Sequence, residues 1–209
     1  MKNNYIDSLI TLAGVIGFVV IVTYLHFAQT GYDPVHQFMS ELALGRHGFL
    51  MLWAFMSFAL AVAGSIIILA AYGVHPVIKM LLGMASLSLA GAGIFKLGAD
   101  TTLHISLVAL AFFLVVLSMY LIPRTTAAFQ KPLIATFCWG LGAGTALCVG
   151  LGQGPLPIGI AQRLAAACIL LWLVWLAVFH LTQKTRINAL RDTFVVEAPP
   201  NANRNTGKG

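Results

Sequence analysis

Charge is what this chain has least of. Its 209 residues include 12 Lys or Arg and 6 Asp or Glu, 9% charged in all. A soluble domain carries about 25%. With so few charges, most of the surface must face lipid rather than water. The excess of six positive charges does not indicate nucleic acid, because the basic residues are dispersed at the ends of apolar stretches instead of lining a groove. Cysteine is scarce too. Cys138, Cys148 and Cys168 are odd in number, show no Cys-x-x-Cys spacing and fall inside apolar stretches. That excludes a disulfide framework and a dithiol redox motif, and the thiols read as small apolar residues. Ionisable side chains are missing from the middle of every apolar stretch, and no pair of broken helices stands out, which argues against a channel or transporter. An internal repeat is lacking as well. Gly91-Ala92-Gly93 and Gly142-Ala143-Gly144 echo one another only as small residues that let helices pack closely.

What the chain has in abundance is apolar length. Hydrophobic residues make up 59% of it. A spanning helix needs about 20 mainly apolar residues, since the hydrocarbon core is roughly 30 Å thick and each residue rises about 1.5 Å. Stretches at 6–28, 48–72, 77–97, 104–123, 133–151 and 162–183 meet that length. The fold class is therefore all-α, a polytopic six-helix transmembrane bundle over 1–183. The first stretch runs apolar from Leu9 to Phe27, longer than a secretory h-region, and Phe27-Ala28-Gln29 makes a poor cleavage site, so it reads as a retained helix. Residues 184–209, rich in polar and breaker residues, read as a disordered tail.

Lysine and arginine accumulate on the cytoplasmic side of membrane proteins. Lys2, Lys79, Arg124, Lys131, Lys184, Arg186 and Arg191 fall on the side of the termini, whereas Arg46, Lys96 and Arg163 fall on the other. Both termini are expected in the cytoplasm of a prokaryotic cell, with the protein in the cytoplasmic (inner) membrane and the loops at 29–47, 98–103 and 152–161 facing outward.

The polar residues gather on that outward side. In the first loop, Asp33-Pro34 reads as a helix start. Val35, Phe38, Met39 and Leu42 then recur as an apolar stripe, so a short amphipathic helix is expected there, ended by Gly45. His36 and Ser40 lie one turn apart on another face. Asp100 and His104 share a face if the fourth helix begins near Asp100, where the carboxylate also suits an N-cap. Arg163 opens the sixth helix against the macrodipole, which calls for an anionic partner such as Asp33, Glu41 or Asp100. The candidate ligand-binding residues are His36, Ser40, Glu41, Asp100, His104 and Arg163. They form either a site or an ion-pair network that holds the loops together.

The segments Met39-Ser40-Glu41-Leu42-Ala43-Leu44-Gly45, Gly91-Ala92-Gly93-Ile94-Phe95 through Asp100 to His104, and Gly159-Ile160-Ala161-Gln162-Arg163 with Leu171-Trp172-Leu173 resemble the six-helix prokaryotic membrane family called domain of unknown function 998. The resemblance covers about residues 8–183. It implies a serine–acid–leucine segment before helix two, an aspartate after helix three, a histidine opening helix four and an arginine opening helix six. It implies no established reaction. Two positions depart from the family's habit: Lys96 stands where proline is frequent, and Gln162 where glutamate is frequent. The second departure removes a candidate acid or base.

Four functions compete. The first is binding of a small ligand, an anionic group, a lipid headgroup or a partner loop at the outer cluster, with the bilayer itself as the constant partner. The second is a metal-dependent membrane hydrolase drawing ligands from His36, His47, Asp100 and His104, although no tight ligand pair is present. A b-type haem protein would need facing histidines at matched depth. His26 and His180 belong to opposite membrane faces, and His104 has no evident mate within a span. A transporter is the fourth. The sequence calls for no cofactor or metal and leaves the oligomeric state open.

Overall fold

Proline begins two of the helices, and it does so where its missing N–H costs nothing. Pro76 and Pro132 occupy first-turn positions, where the backbone donor would be unpaired in any case. The computed structural model describes residues 5–197, with side-chain surroundings up to Arg186. The helices are α1 (Ile6–Ala28), α2 (Leu50–Ala70), α3 (Pro76–Ile94), α4 (Thr101–Thr125), α5 (Pro132–Leu151) and α6 (Ile158–Glu197). All six are long and apolar enough to cross a membrane. Leu133 and Phe27 are each 84% exposed and Leu87 74%, a surface that suits lipid and not water.

Consecutive helices pack as neighbours, and α6 returns to close against α1 and to touch α2. The apolar stretch of α2 is 56% buried whereas that of α5 is 22% buried. The core therefore lies around α2, among Phe18, Phe58, Phe112, Ile169 and Trp172, while α5 stands at the rim. Close approach of α1 to α2 depends on Gly14, where a Cβ would sit 2.6 Å from the Ala61 nitrogen and 2.8 Å from its Cβ. At the turn between α3 and α4, Gly98 has φ +92°, a conformation that glycine takes without strain.

Two differences from the sequence expectations have plain causes. Loop one carries its short helix, but as a 3-10 helix that starts later than Asp33. It makes one turn, closed by the Gln37 amide donating to the Asp33 carbonyl at 2.9 Å, and then a 3-10 helix at Met39–Leu44. Side chains from elsewhere take up the backbone groups that an α-helix would have used, as described below. Helix α6 runs on through Lys184 to Glu197, past the expected end at 183 and into the segment expected to be a disordered tail. Hydropathy marks where the apolar segment ends, not where the helix does. The rest of that tail lies outside the described residues.

Candidate functional site

The loop-one end of the bundle is tied together by Arg163. Its Nη1 donates to the Pro34 carbonyl at 2.7 Å, to Gly159 at 2.8 Å and to Gln37 at 3.4 Å. Its Nη2 donates to the Tyr32 hydroxyl, which in turn donates to the Phe38 carbonyl at 2.9 Å. Burial raises the Tyr32 phenol above its ordinary value, although the guanidinium pulls the other way. Next to Arg163, Gln162 uses its Oε1 to accept from the Met39 amide at 2.6 Å. The expected anionic partners do not pair with Arg163; among the described residues it makes no ion pair. A guanidinium offers up to five donors in a fixed fork, and backbone carbonyls plus a phenol satisfy it here.

The six candidate residues separate into three places. Glu41 accepts from the Phe38 amide at 2.9 Å and from Gln37 Nε2 at 3.1 Å, which closes the first turn of the 3-10 helix. His36 is exposed and its Nδ1 lies 2.7 Å from Asp33 Oδ2. These two, with Arg163, make the loop-one knot. Asp100 stands apart and exposed, where its Oδ1 caps α4 by accepting from the Leu103 amide at 3.0 Å. Only Ser40 and His104 come to a common cavity, joined there by Gln162.

The Asp33 carboxyl is held below its ordinary value of 3.8 by the His36 hydrogen bond and by the Val35 amide. Its folded value is the lower one, so its contribution to the loop is present above the unfolded value and fades as pH falls through the folded one. We expect the Val35 amide resonance to titrate with a midpoint below 3.8. In Asp33→Asn that titration should vanish.

The cavity has a volume of about 340 Å³ and lies between α4, α5 and α6 under loop one. Phe38 and Ser40 roof it, and Val108, Phe112 and Ala165 are among its apolar walls. Ser40 and His104 are 3% and 2% exposed. The His104 ring is fixed by its Nδ1, which lies 2.8 Å from the Ala92 carbonyl and 3.0 Å from that of Phe95. Carbonyls only accept, so Nδ1 carries the proton, and in the neutral ring Nε2 is an acceptor. That Nε2 is buried and has no hydrogen-bond partner. The tether also explains why a histidine opens α4: it satisfies carbonyls that the end of α3 leaves unpaired. Among the described residues the Ser40 hydroxyl has no partner either, and Gln162 keeps its amide N–H groups unused.

No three His, Cys, Asp or Glu side chains among the described residues are grouped to hold a metal ion. His36, Asp100 and His104 are committed elsewhere, and His47 lies beside Tyr24 with ring centres 6.0 Å apart. The donor set proposed for a metal hydrolase is thus not assembled.

Sequence reasoning missed a second polar cluster, at the other end of the bundle. Asp7 of α1 accepts from His180 Nε2 at 3.1 Å and from Lys184 Nζ at 3.0 Å, both on α6. The Tyr72 hydroxyl lies 3.1 Å from His180 Nδ1. Burial, with Asp7 adding to it, pushes the Tyr72 phenol up to about 12, so it stays protonated as a donor. His180 and Lys184 are four apart, which was the one available signal. Asp7 and Tyr72, far off in sequence, gave none.

The fold and its lipid-facing surface define a multi-pass integral membrane protein, with a mainly apolar cavity near one end of the bundle. Within that class, the chain belongs to the family described as Protein of unknown function (DUF998), which matches residues 12–179. No curated protein and no solved structure matches it.

Proposed function

We propose that this protein binds a small amphipathic ligand in the cavity between α4, α5 and α6. The observation that carries the reading is the cavity itself: its volume of about 340 Å³ falls within the roughly 300–1,000 Å³ typical of small-molecule sites, and the side chains of Ser40 and Gln162 reach its polar end. Apolar walls with a few convergent polar groups are the usual make-up of such sites. In this reading Ser40, His104 and Gln162 contact the ligand, while His36, Glu41 and Arg163 hold the roof in place and Asp100 caps α4. We also infer from the distribution of lysine and arginine that the termini face the cytoplasm, the membrane being the cytoplasmic one of a prokaryote.

The test is photolabelling in nanodiscs with a diazirine-bearing long-chain hydrocarbon, mapped by mass spectrometry. Labels should concentrate on residues 105–116 and 145–149. Ala146→Trp, placed on an exposed position of the cavity wall, should cut that labelling by about fivefold or more, roughly 1 kcal/mol of lost binding. Labelling no denser than on the lipid-facing side of α3 would remove the site.

A further inference from the structure

The chemistry of the cavity goes further than the presence of a site. No Asp, Glu, Lys or Arg lines it. The nearest cation in sequence to its polar end, Arg163, has its donors engaged by Pro34, Gln37, Gly159 and Tyr32. An anionic head would therefore enter a buried space without a counter-charge, which is costly. The polar end offers a mixed set instead: the Ser40 hydroxyl that donates or accepts, and the Gln162 amide donors.

The apolar part is elongated. A second apolar space of about 280 Å³, lined by Phe113, Val116, Tyr120, Trp139 and Ala146 among others, shares Phe113, Val116 and Ala146 with the first. Together they follow α4 from His104 to Tyr120, roughly 24 Å at about 1.5 Å per residue. Ile105, Phe113 and Val149, on the walls of the first, are 44%, 62% and 45% exposed, so the cleft between α4 and α5 borders the bilayer. That is where α5 is least enclosed.

We propose that the ligand is an uncharged long-chain lipid whose head carries both a hydroxyl and a carbonyl, a monoacylglycerol being the simplest. The chain lies along the α4–α5 cleft. The head carbonyl accepts from Gln162 Nε2, and the head hydroxyl exchanges a hydrogen bond with the Ser40 hydroxyl. The ligand reaches the site sideways from the bilayer. This inference rests on the ligand-binding reading above and adds the class of ligand.

The test is competition against the hydrocarbon photoprobe, in nanodiscs of zwitterionic lipid, by monododecanoylglycerol and by lysophosphatidylglycerol of the same chain length. The neutral lipid should displace the probe at a concentration at least about tenfold lower, a difference of about 1.4 kcal/mol. Gln162→Glu keeps the oxygen that accepts from Met39 and removes the amide donors. It should erase the preference for the neutral lipid. Ser40→Ala should weaken the neutral lipid severalfold. Equal competition by the two lipids, preference for the anionic one, or displacement by neither would overturn the lipid class and leave the cavity as a site. Failure of the hydrocarbon probe itself to label would instead remove the site on which the inference stands.

Discussion

Arg163→Ala is expected to lower the stability of the detergent-solubilised protein by about 2–4 kcal/mol, because hydrogen bonds to a charged donor contribute about 1.5–3 kcal/mol each and their partly buried acceptors would be left unpaired. The acceptors are the carbonyls of Pro34, Gln37 and Gly159 and the Tyr32 hydroxyl. Arg163→Lys should recover little. A single ammonium point charge cannot reach in two directions as the planar fork does. Gly159→Ala attacks the same junction from the other side: a Cβ there would lie 2.6 Å from the carbonyls of Gln37 and Val35. Overpacking of that kind costs about 1–3 kcal/mol, and it should push loop one off α6. Both variants should also lose ligand labelling, since Phe38 and Ser40 reach the cavity only from that loop. Thermal unfolding followed by size exclusion reads the first effect and photolabelling the second. If Arg163→Ala unfolds as the parent protein does, the loop-one knot does not depend on the guanidinium.

The architecture was open to reading in the sequence because lipid imposes it. A segment of mostly apolar residues long enough to cross has almost no other stable outcome than a helix. All six expected stretches coincide with helices, and the α1 bounds agree at Ile6 and Ala28. The lining of the cavity was legible only in part. Ser40 and His104 stand out as polar groups flanking apolar stretches, and both line the cavity. Gln162 was noticed as a departure from its family's habit, yet its two tasks, holding Met39 and facing the cavity, come from folding. Arg163 was misread for a physical reason. A cation at a helix N-terminus suggests a carboxylate, whereas several carbonyls turned toward it by a loop can take that place. Which way a loop turns its carbonyls depends on backbone conformation, which residue spacing does not encode. The apolar spacing of loop one announced a short helix, which is present at Met39–Leu44; its later start reflects hydrogen bonds from Tyr32, Gln162 and Arg163 to the backbone before and at its first residue.

Asp7→Leu is expected to be the other severe change, at the opposite end of the bundle. Asp7 and His180 side chains are 14% and 4% exposed, and Lys184 is 29% exposed. Removing one member of a buried charged pair typically costs about 3–5 kcal/mol, mainly because its partner is left buried without compensation; with Asp7 and Lys184 only partly buried, the lower end of that range applies here. The loss here would be shared by α1, α2 and α6, since Tyr72 sits on the His180 ring and the Ser8 hydroxyl donates to the Ala177 carbonyl beside it. The measurement should be a double-mutant cycle. Lys184→Met alone should cost less than Asp7→Leu, because the lysine is the most exposed member. The double variant should be more stable than the sum of the single losses by about 0.5–3 kcal/mol, the range for residues in one network. Strict additivity would mean that Asp7 and Lys184 do not act on one another. Asp7→Asn should fall between the parent protein and Asp7→Leu, since an amide oxygen can still accept from His180 Nε2 while the ion pair with Lys184 is lost. The ordering of these variants separates the charge of Asp7 from its hydrogen bonding: if Asn performs as badly as Leu, attraction to Lys184 holds α1 to α6, and if Asn performs as well as Asp, the histidine hydrogen bond does.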